Sequence, residues 1–350
     1  MNIVDTTTAY ERWLGQHVQL VAADLERKHE LMRRDALTFL RGTYYRYAER
    51  FPMMCPELMG APRVGAVGDL HVENFGTWRD REGRLVWGVN DLDEADRLPY
   101  TVDLVRLSAS ALLAAEAGRV GLGRPEVVGA VLGGYTRGIE EGAEPVVLGE
   151  RRRWLTALLE PLMHEPRTFW EGLSDLPEAA RRLGTGARAA LELVRPGIGW
   201  KYRLHARTAG VGGLGRPRIV ALGEWEGGLV ARQLKGVPPP ATRRTKLGAG
   251  VRPPRIHYGD PWAAERDGWI AQRLAPDNVK LDLALISRKR ADRRLLVAMG
   301  RETAHYHLGT RGSRDAIGGD LASRPHDWLD RAAEAVVADT HTDYEAWCKR

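Results

Sequence analysis

The chain has 350 residues, 43% of them hydrophobic and 28% charged, with a net charge of +6. That length is enough for two bodies with separate cores. No apolar run reaches the roughly 18 residues of a membrane helix, the polar start MNIVDTTTAYERW does not read as a secretory signal, and Cys55 and Cys348 alone offer no disulfide framework. These features lead to the expectation of a cytoplasmic protein with no membrane partner. The basic excess is small and spread out. RRR at 151–153 and RKRADRR at 288–294 read as solvated helix faces. Without aromatic interleaving or zinc spacing, nucleic acid is not the expected partner.

In chain order, residues 6–50 read as helical. Leu14, Val18, Val21, Leu25 and Met32 recur at helical spacing, and a second pattern covers Ala36 to Tyr47. Met53 to Arg63 is a loop, and Val64 to Val67 a short buried strand. FGTW and RLVWGV flank turn residues Asp80 to Gly83 and read as a β-hairpin. Thr101 to Ala117 is dense enough in apolar residues for a core helix. Further helices are expected over about 125–142, 150–163 and 176–194. The stretch 200–236 reads as strands, interrupted by the cluster GVGGLG and a Gly-Gly turn. Then come a Pro- and Arg-rich loop (Pro238 to Arg255), a helix from Pro261 to Leu274, a strand from Val279 to Ile286, and helices from Arg294 to His307 and Ala332 to Lys349.

Two places carry chemistry. In GDLHVEN, Asp69 and Asn74 stand five apart on a loop after a buried strand, and the acidic group Asp91, Asp93 and Glu94 comes after the hairpin. Asp91 closes an apolar strand, so its carboxylate calls for a metal or a cation. A magnesium-nucleotide phosphotransferase uses such a set, with one Asp for the attacking hydroxyl and an Asn and a second Asp for the metal. The alternative is a polar surface loop with turn-forming Asp and Asn. The second place is Gly210, Gly212 and Gly215, which fit G-x-G-x-x-G. The residues after Gly215 read as a strand, and Lys235 stands where a dinucleotide fold would place an acid. Two readings stay open: a hairpin lid over phosphates, with Lys235 pairing to the anion, or a plain glycine-rich turn. His71, His305 and His307 lack zinc-ligand spacing, and Ser108 and Ser110 lack a nucleophile elbow.

These blocks resemble the protein-kinase-like superfamily, especially its aminoglycoside and choline kinase branch. The carriers are Gly68-Asp69-Leu70-His71-Val72-Glu73-Asn74, Val89-Asn90-Asp91-Leu92-Asp93-Glu94-Ala95 and Asp103-Leu104. Over most of its length the chain resembles the bacterial family DUF2252, through FLRG (Phe39 to Gly42), GDLHVENFG, NDLDEA, GVGGLG and the late AHYH helix. One departure is large: the glycine loop and its Lys come after the catalytic loop instead of preceding it. The resemblance therefore implies an α+β, two-lobed, circularly permuted kinase-like fold. A mostly helical catalytic lobe would span 1–199, a small β-rich nucleotide lobe 200–290, and helices from 291–350 would complete the large lobe.

On that resemblance the chain is expected to be an ATP- and Mg2+-dependent phosphotransferase acting on a hydroxyl. Asp69 is the base or hydroxyl-orienting group. Asn74 and Asp91 hold the metal, with Asp93 as a second ligand. Lys235 neutralises the α/β-phosphates and pairs with a helix Glu, for which Glu265 is the candidate. Gly210, Gly212 and Gly215 cover the nucleotide. No activation segment comes after Asp91, which favours a small-molecule or specialised acceptor. The alternatives are a nucleotide-binding pseudokinase-type regulator, an AMP-transferring enzyme, or a basic nucleic-acid-binding protein.

Overall fold

A computed structural model of the chain describes all residues except 143, 151, 180, 181, 209, 249, 251–260, 262, 287 and 288, and the side chains of 286 and 289–292. The C-terminal part of the Pro238 to Arg255 loop and most of the basic run at 288–294 thus lie outside the described residues or side chains. The fold is α+β. Helices Ile3–Leu14, Ala22–Leu31, Ala36–Gly42 and Tyr44–Met54 come first. Asn2 and Asp35 start two of them by accepting from the backbone N–H of Asp5 (2.9 Å) and Thr38 (2.6 Å).

Helix Tyr100–Glu116 is the centre of the main core; every residue from Tyr100 to Ala114 is buried. Helix Arg124–Glu141 crosses helix Lys289–Leu308 so closely that a Cβ on Gly134 would lie 2.1 Å from the Val297 carbonyl, and one on Gly300 2.1 Å from that of Val131. The two glycines are what allow this crossing. The chain ends also meet: Arg46 donates to the Met1 carbonyl (3.2 Å) and, through Nε, to Asp343 (2.7 Å) on helix Trp328–Cys348.

Among the described residues the strands form three antiparallel sheets. β1 (Arg63–Ala66) pairs with β4 (Asp96–Pro99), and β2 (Phe75–Arg79) with β3 (Leu85–Val89), which also carries β5 (Val146–Val147). The third sheet holds β6 (Arg203–Ala206), β7 (Arg218–Trp225), β8 (Gly228–Gly236), β9 (Ala263–Arg266) and β10 (Trp269–Leu274) in the order β6-β7-β8-β10-β9. Two helices that precede the expected boundary at residue 199 cover this sheet. Thr185–Glu192 packs Ala187, Ala190 and Leu191 on Ala221, Leu234 and Ala271 of one face. Pro166–Ser174 sets Leu173 on Val220, Leu222 and Ala231 of the other.

Several expectations change. The helix expected from Pro261 to Leu274 is the hairpin β9–β10, turning at Asp267 (φ 49°) and Gly268 (φ 74°). Two left-handed residues in a row make the tight turn that suits paired strands. The β7–β8 turn is likewise Glu226–Gly227 (φ 49° and 82°), one residue before the expected Gly-Gly. The strand expected from Val279 to Ile286 is only an edge contact. Thr77 donates to the Val279 carbonyl (2.9 Å) and Leu281 to that of Phe75 (2.8 Å), and Leu283–Ile286 then coils into a short helix. The helix expected over 176–194 is confined to Thr185–Glu192.

Candidate active site

The GDLHVEN loop is built by its neighbours. Gly68 has φ +78°, and a Cβ there would lie 2.4 Å from the Glu94 carbonyl oxygen and 2.6 Å from the Tyr44 hydroxyl. Glycine is therefore required both for the turn and for the close approach. The buried Asp103 carboxylate accepts from the backbone N–H of Val67 (2.7 Å) and Gly68 (2.8 Å), and His307 Nε2 lies 3.0 Å from it. The other ring nitrogen of His307 meets the Tyr135 hydroxyl at 2.8 Å. A residue near the C-terminus thus fixes the entry to the loop.

Asp69 projects from this loop. Arg106, only 1% exposed, donates to its Oδ1 through Nε (2.9 Å) and Nη2 (2.5 Å). Burial raises the Asp69 carboxyl above its ordinary value, and Arg106 pulls it partly back. His71 is driven well below its usual value by burial, then by the charges of Arg41 and Arg106, and it accepts from the Glu73 backbone N–H (3.2 Å). It is a neutral structural ring.

Asn74 binds the two acidic loops together. Its Nδ2 donates to the backbone carbonyls of Asp69 and Asp91, both at 3.0 Å, while its Oδ1 accepts the Asp91 N–H (3.1 Å). One lone pair of that oxygen remains for a further partner.

Asp91 faces two ammonium groups. Lys235 Nζ is 3.4 Å and Lys280 Nζ 3.5 Å from its Oδ2. Burial would raise this carboxyl, but Lys235 and then Lys280 override it and hold it well below the ordinary range. Asp93 also pairs with Lys235, and Arg216 bridges Asp93 and Glu94 at 3.1 Å each. Glu94 further accepts the Ala241 N–H (2.7 Å), and burial raises its carboxyl. Asp91, Asp93, Lys235 and Lys280 line a cleft of about 660 Å³ between the hairpin β2–β3 and one face of the five-stranded sheet, to which Asn90, Gln233, Gln272 and Asn278 contribute polar lining.

Of the residues expected in the site, Asp69, Asn74, Asp91, Asp93 and Lys235 come together. The glycines divide their roles. Gly210 lines the cleft; Gly212 packs beside the Arg41 carbonyl and Asp69 Oδ2, at 3.3 and 3.6 Å from where a Cβ would stand; and Gly215 packs on Leu25. Glu265 requires a correction. It lies exposed on the edge strand β9, with Ile270 of β10 standing in register between it and Lys235. Because this segment is a hairpin, no helix brings Glu265 to the Lys, and the carboxylates found there are Asp91 and Asp93. Sequence reasoning missed Arg106, Lys280 and Arg216. Arg106 lies one helical turn past the Asp103-Leu104 pair, and this was its one available signal.

The fold and cleft define an α+β protein with a buried acid–lysine constellation fed by distant parts of the chain. Residues 20–183 match the family model described as an uncharacterized protein conserved in bacteria, DUF2252. The matched segment holds the GDLHVEN and NDLDEA blocks; Lys235, Lys280 and His307 lie beyond it. No curated protein and no solved structure matches the chain.

Proposed function

We propose that the cleft binds ATP with Mg2+ and transfers a phosphoryl group to a hydroxyl, on a circularly permuted, two-lobed kinase-like fold. The carrying observation is the contact of Lys235 with Asp91 and Asp93, next to an Asn74 that ties Asp91 to Asp69. The permutation is supported by the meeting of the chain ends at Arg46, since close termini make such a rearrangement possible.

The donor set suits Mg2+, a hard cation that prefers carboxylate oxygens and shares its shell with substrate phosphates. Among the described residues no group of three His, Cys, Asp or Glu side chains forms a metal cage. This fits a cation that arrives with the nucleotide. Asp91 would hold it, with Asp93 and the spare lone pair of Asn74 beside it. Once bound, it would neutralise charge on the phosphates.

The chain's own groups do the rest. Lys235 and Lys280 supply positive charge where the phosphates lie, in a partly dehydrated cleft where it acts strongly. Asp69, held by Arg106 through two hydrogen bonds to one carboxylate oxygen, orients the acceptor hydroxyl and takes its proton. An acceptor with the hydroxyl on a small molecule or specialised substrate suits an open cleft.

Incubation with ATP labelled at the α- or the γ-phosphate tests the reading. Transfer of the γ-label is expected. Transfer of the α-label would establish the second reading, an AMP-transferring enzyme. Binding of ATP with neither label transferred would leave a nucleotide-binding regulator.

A further inference from the structure

One rung of the five-stranded sheet places three cations side by side. Arg218 of β7 stands directly opposite Lys235 of β8, and Arg207, the residue after β6, donates its backbone N–H to the Arg218 carbonyl (3.1 Å). Directly opposed like charges on neighbouring strands repel. Lys235 is compensated by Asp91 and Asp93. The two guanidinium groups converge on the neutral Gln233 Oε1, Arg207 at 2.9 Å and Arg218 at 3.3 Å, and Arg218 also feels the charges of Asp91 and Asp93. All three side chains line the cleft. Burial and then the neighbouring charge of Arg218 bring Arg207 down to about 10, so it remains cationic at neutral pH.

We propose that Arg207, Arg218 and Gln233 form a phosphate-binding subsite, distinct from the acidic Asp91–Asp93 group, that takes a second phosphoryl group within the cleft. Guanidinium groups bind phosphate through paired N–H bonds, which lysine cannot reproduce. The glycine turn between β6 and β7 carries the two arginines at its ends, so the subsite and the turn that packs on Asp69 are one structural unit. The phosphoryl group could belong to the nucleotide's own chain or to a phosphorylated acceptor; the subsite chemistry is the same.

The test is calorimetric binding of inorganic diphosphate, and separately of ATP, in buffer with EDTA. It compares the full chain with Arg207→Gln/Arg218→Gln and with Gln233→Glu. Each variant should weaken diphosphate binding at least about tenfold. Neither should lower the melting temperature, because the first relieves repulsion between the two guanidinium groups and the second places a carboxylate at the point where they converge. A parallel loss for ATP assigns the subsite to the nucleotide's phosphates. Unchanged ATP binding assigns it to the acceptor. Diphosphate binding to a chain that ignores ATP both in EDTA and in a repeat titration with Mg2+ would leave the subsite standing and remove the nucleotide reading. Diphosphate binding unchanged in both variants, or absent from the unmodified chain, would overturn the subsite.

Discussion

Lys235 Nζ lies 3.4 Å from Asp91 Oδ2 across 144 residues of sequence. The hairpin β2–β3 delivers the acid and the central strand β8 delivers the ammonium. The two meet in the cleft where Lys280 adds a second cation at 3.5 Å from the same oxygen.

Asp91→Ala is the first consequence. The substitution removes the carboxylate on which both ammonium groups converge, without touching the packed core. Turnover should fall below detection, while the circular dichroism spectrum stays native. Activity within a few-fold of the unmodified chain would remove Asp91 from the mechanism.

Lys235→Met should cost both binding and stability. Lys235 is buried, and its loss takes one cation from Asp93, which keeps Arg216, and one from Asp91, which keeps Lys280. Breaking a buried ion pair costs about 3 kcal/mol at the low end of its range. Denaturant unfolding should show a loss of that order. A variant of unchanged stability that still binds ATP would mean that the pair is incidental.

Gly68→Ala tests the loop geometry. The new methyl group meets a left-handed backbone angle, the Glu94 carbonyl and the Tyr44 hydroxyl together. A loss of roughly 2 kcal/mol or more is expected, with a larger fall in kcat than in affinity. Gly83→Ala is the control. Its φ is +74°, but nothing lies within 4 Å of the added methyl, so only the backbone strain of about 1 kcal/mol applies. Equal effects in the two variants would show that the Glu94 and Tyr44 contacts do not constrain the loop.

The pH dependence has two parts of opposite sign. Asp69 sits above its ordinary value, so kcat/KM should fall as pH drops through that raised value, where the carboxyl gains a proton. Arg106→Lys weakens the hold on the carboxylate and should move this acid limb to higher pH. A limb that stays in place would separate Asp69 from the rate. Asp91 sits below its ordinary value of 3.8. Its contribution to stability is therefore complete above that value and is lost as pH falls toward the folded-state value. Asp91→Asn should flatten stability against pH in that acidic window and leave it unchanged in slope near neutrality.

The hairpin and the two acidic loops were legible because turn residues and apolar runs there agree with one another: Val64, Asp69, Asn74 and Asp91 all lie where alternation and turn chemistry put them. Ala263 to Leu274 was misread for the opposite reason. Ala, Glu, Arg, Gln and Leu favour helix locally, but pairing with β8 overrides that preference. The Asp267-Gly268 dipeptide was the hairpin signal passed over. Lys280 was invisible for another reason. It acts through Asp91, a partner distant in sequence, and no local pattern announces such a contact; Arg106, which acts through Asp69, had only its place one helical turn past Asp103-Leu104 to signal it.

The most direct measurement is the melting temperature with and without ATP and Mg2+, for the unmodified chain, Asp91→Asn and Lys235→Met. A ligand bound only by the folded state, at about a hundredfold excess over Kd, adds about 2.7 kcal/mol. The unmodified chain should therefore melt several degrees higher with ATP and Mg2+, and both variants should lose most of that rise. An unmodified chain that does not respond, or a rise of the same size in all three proteins, would contradict the account.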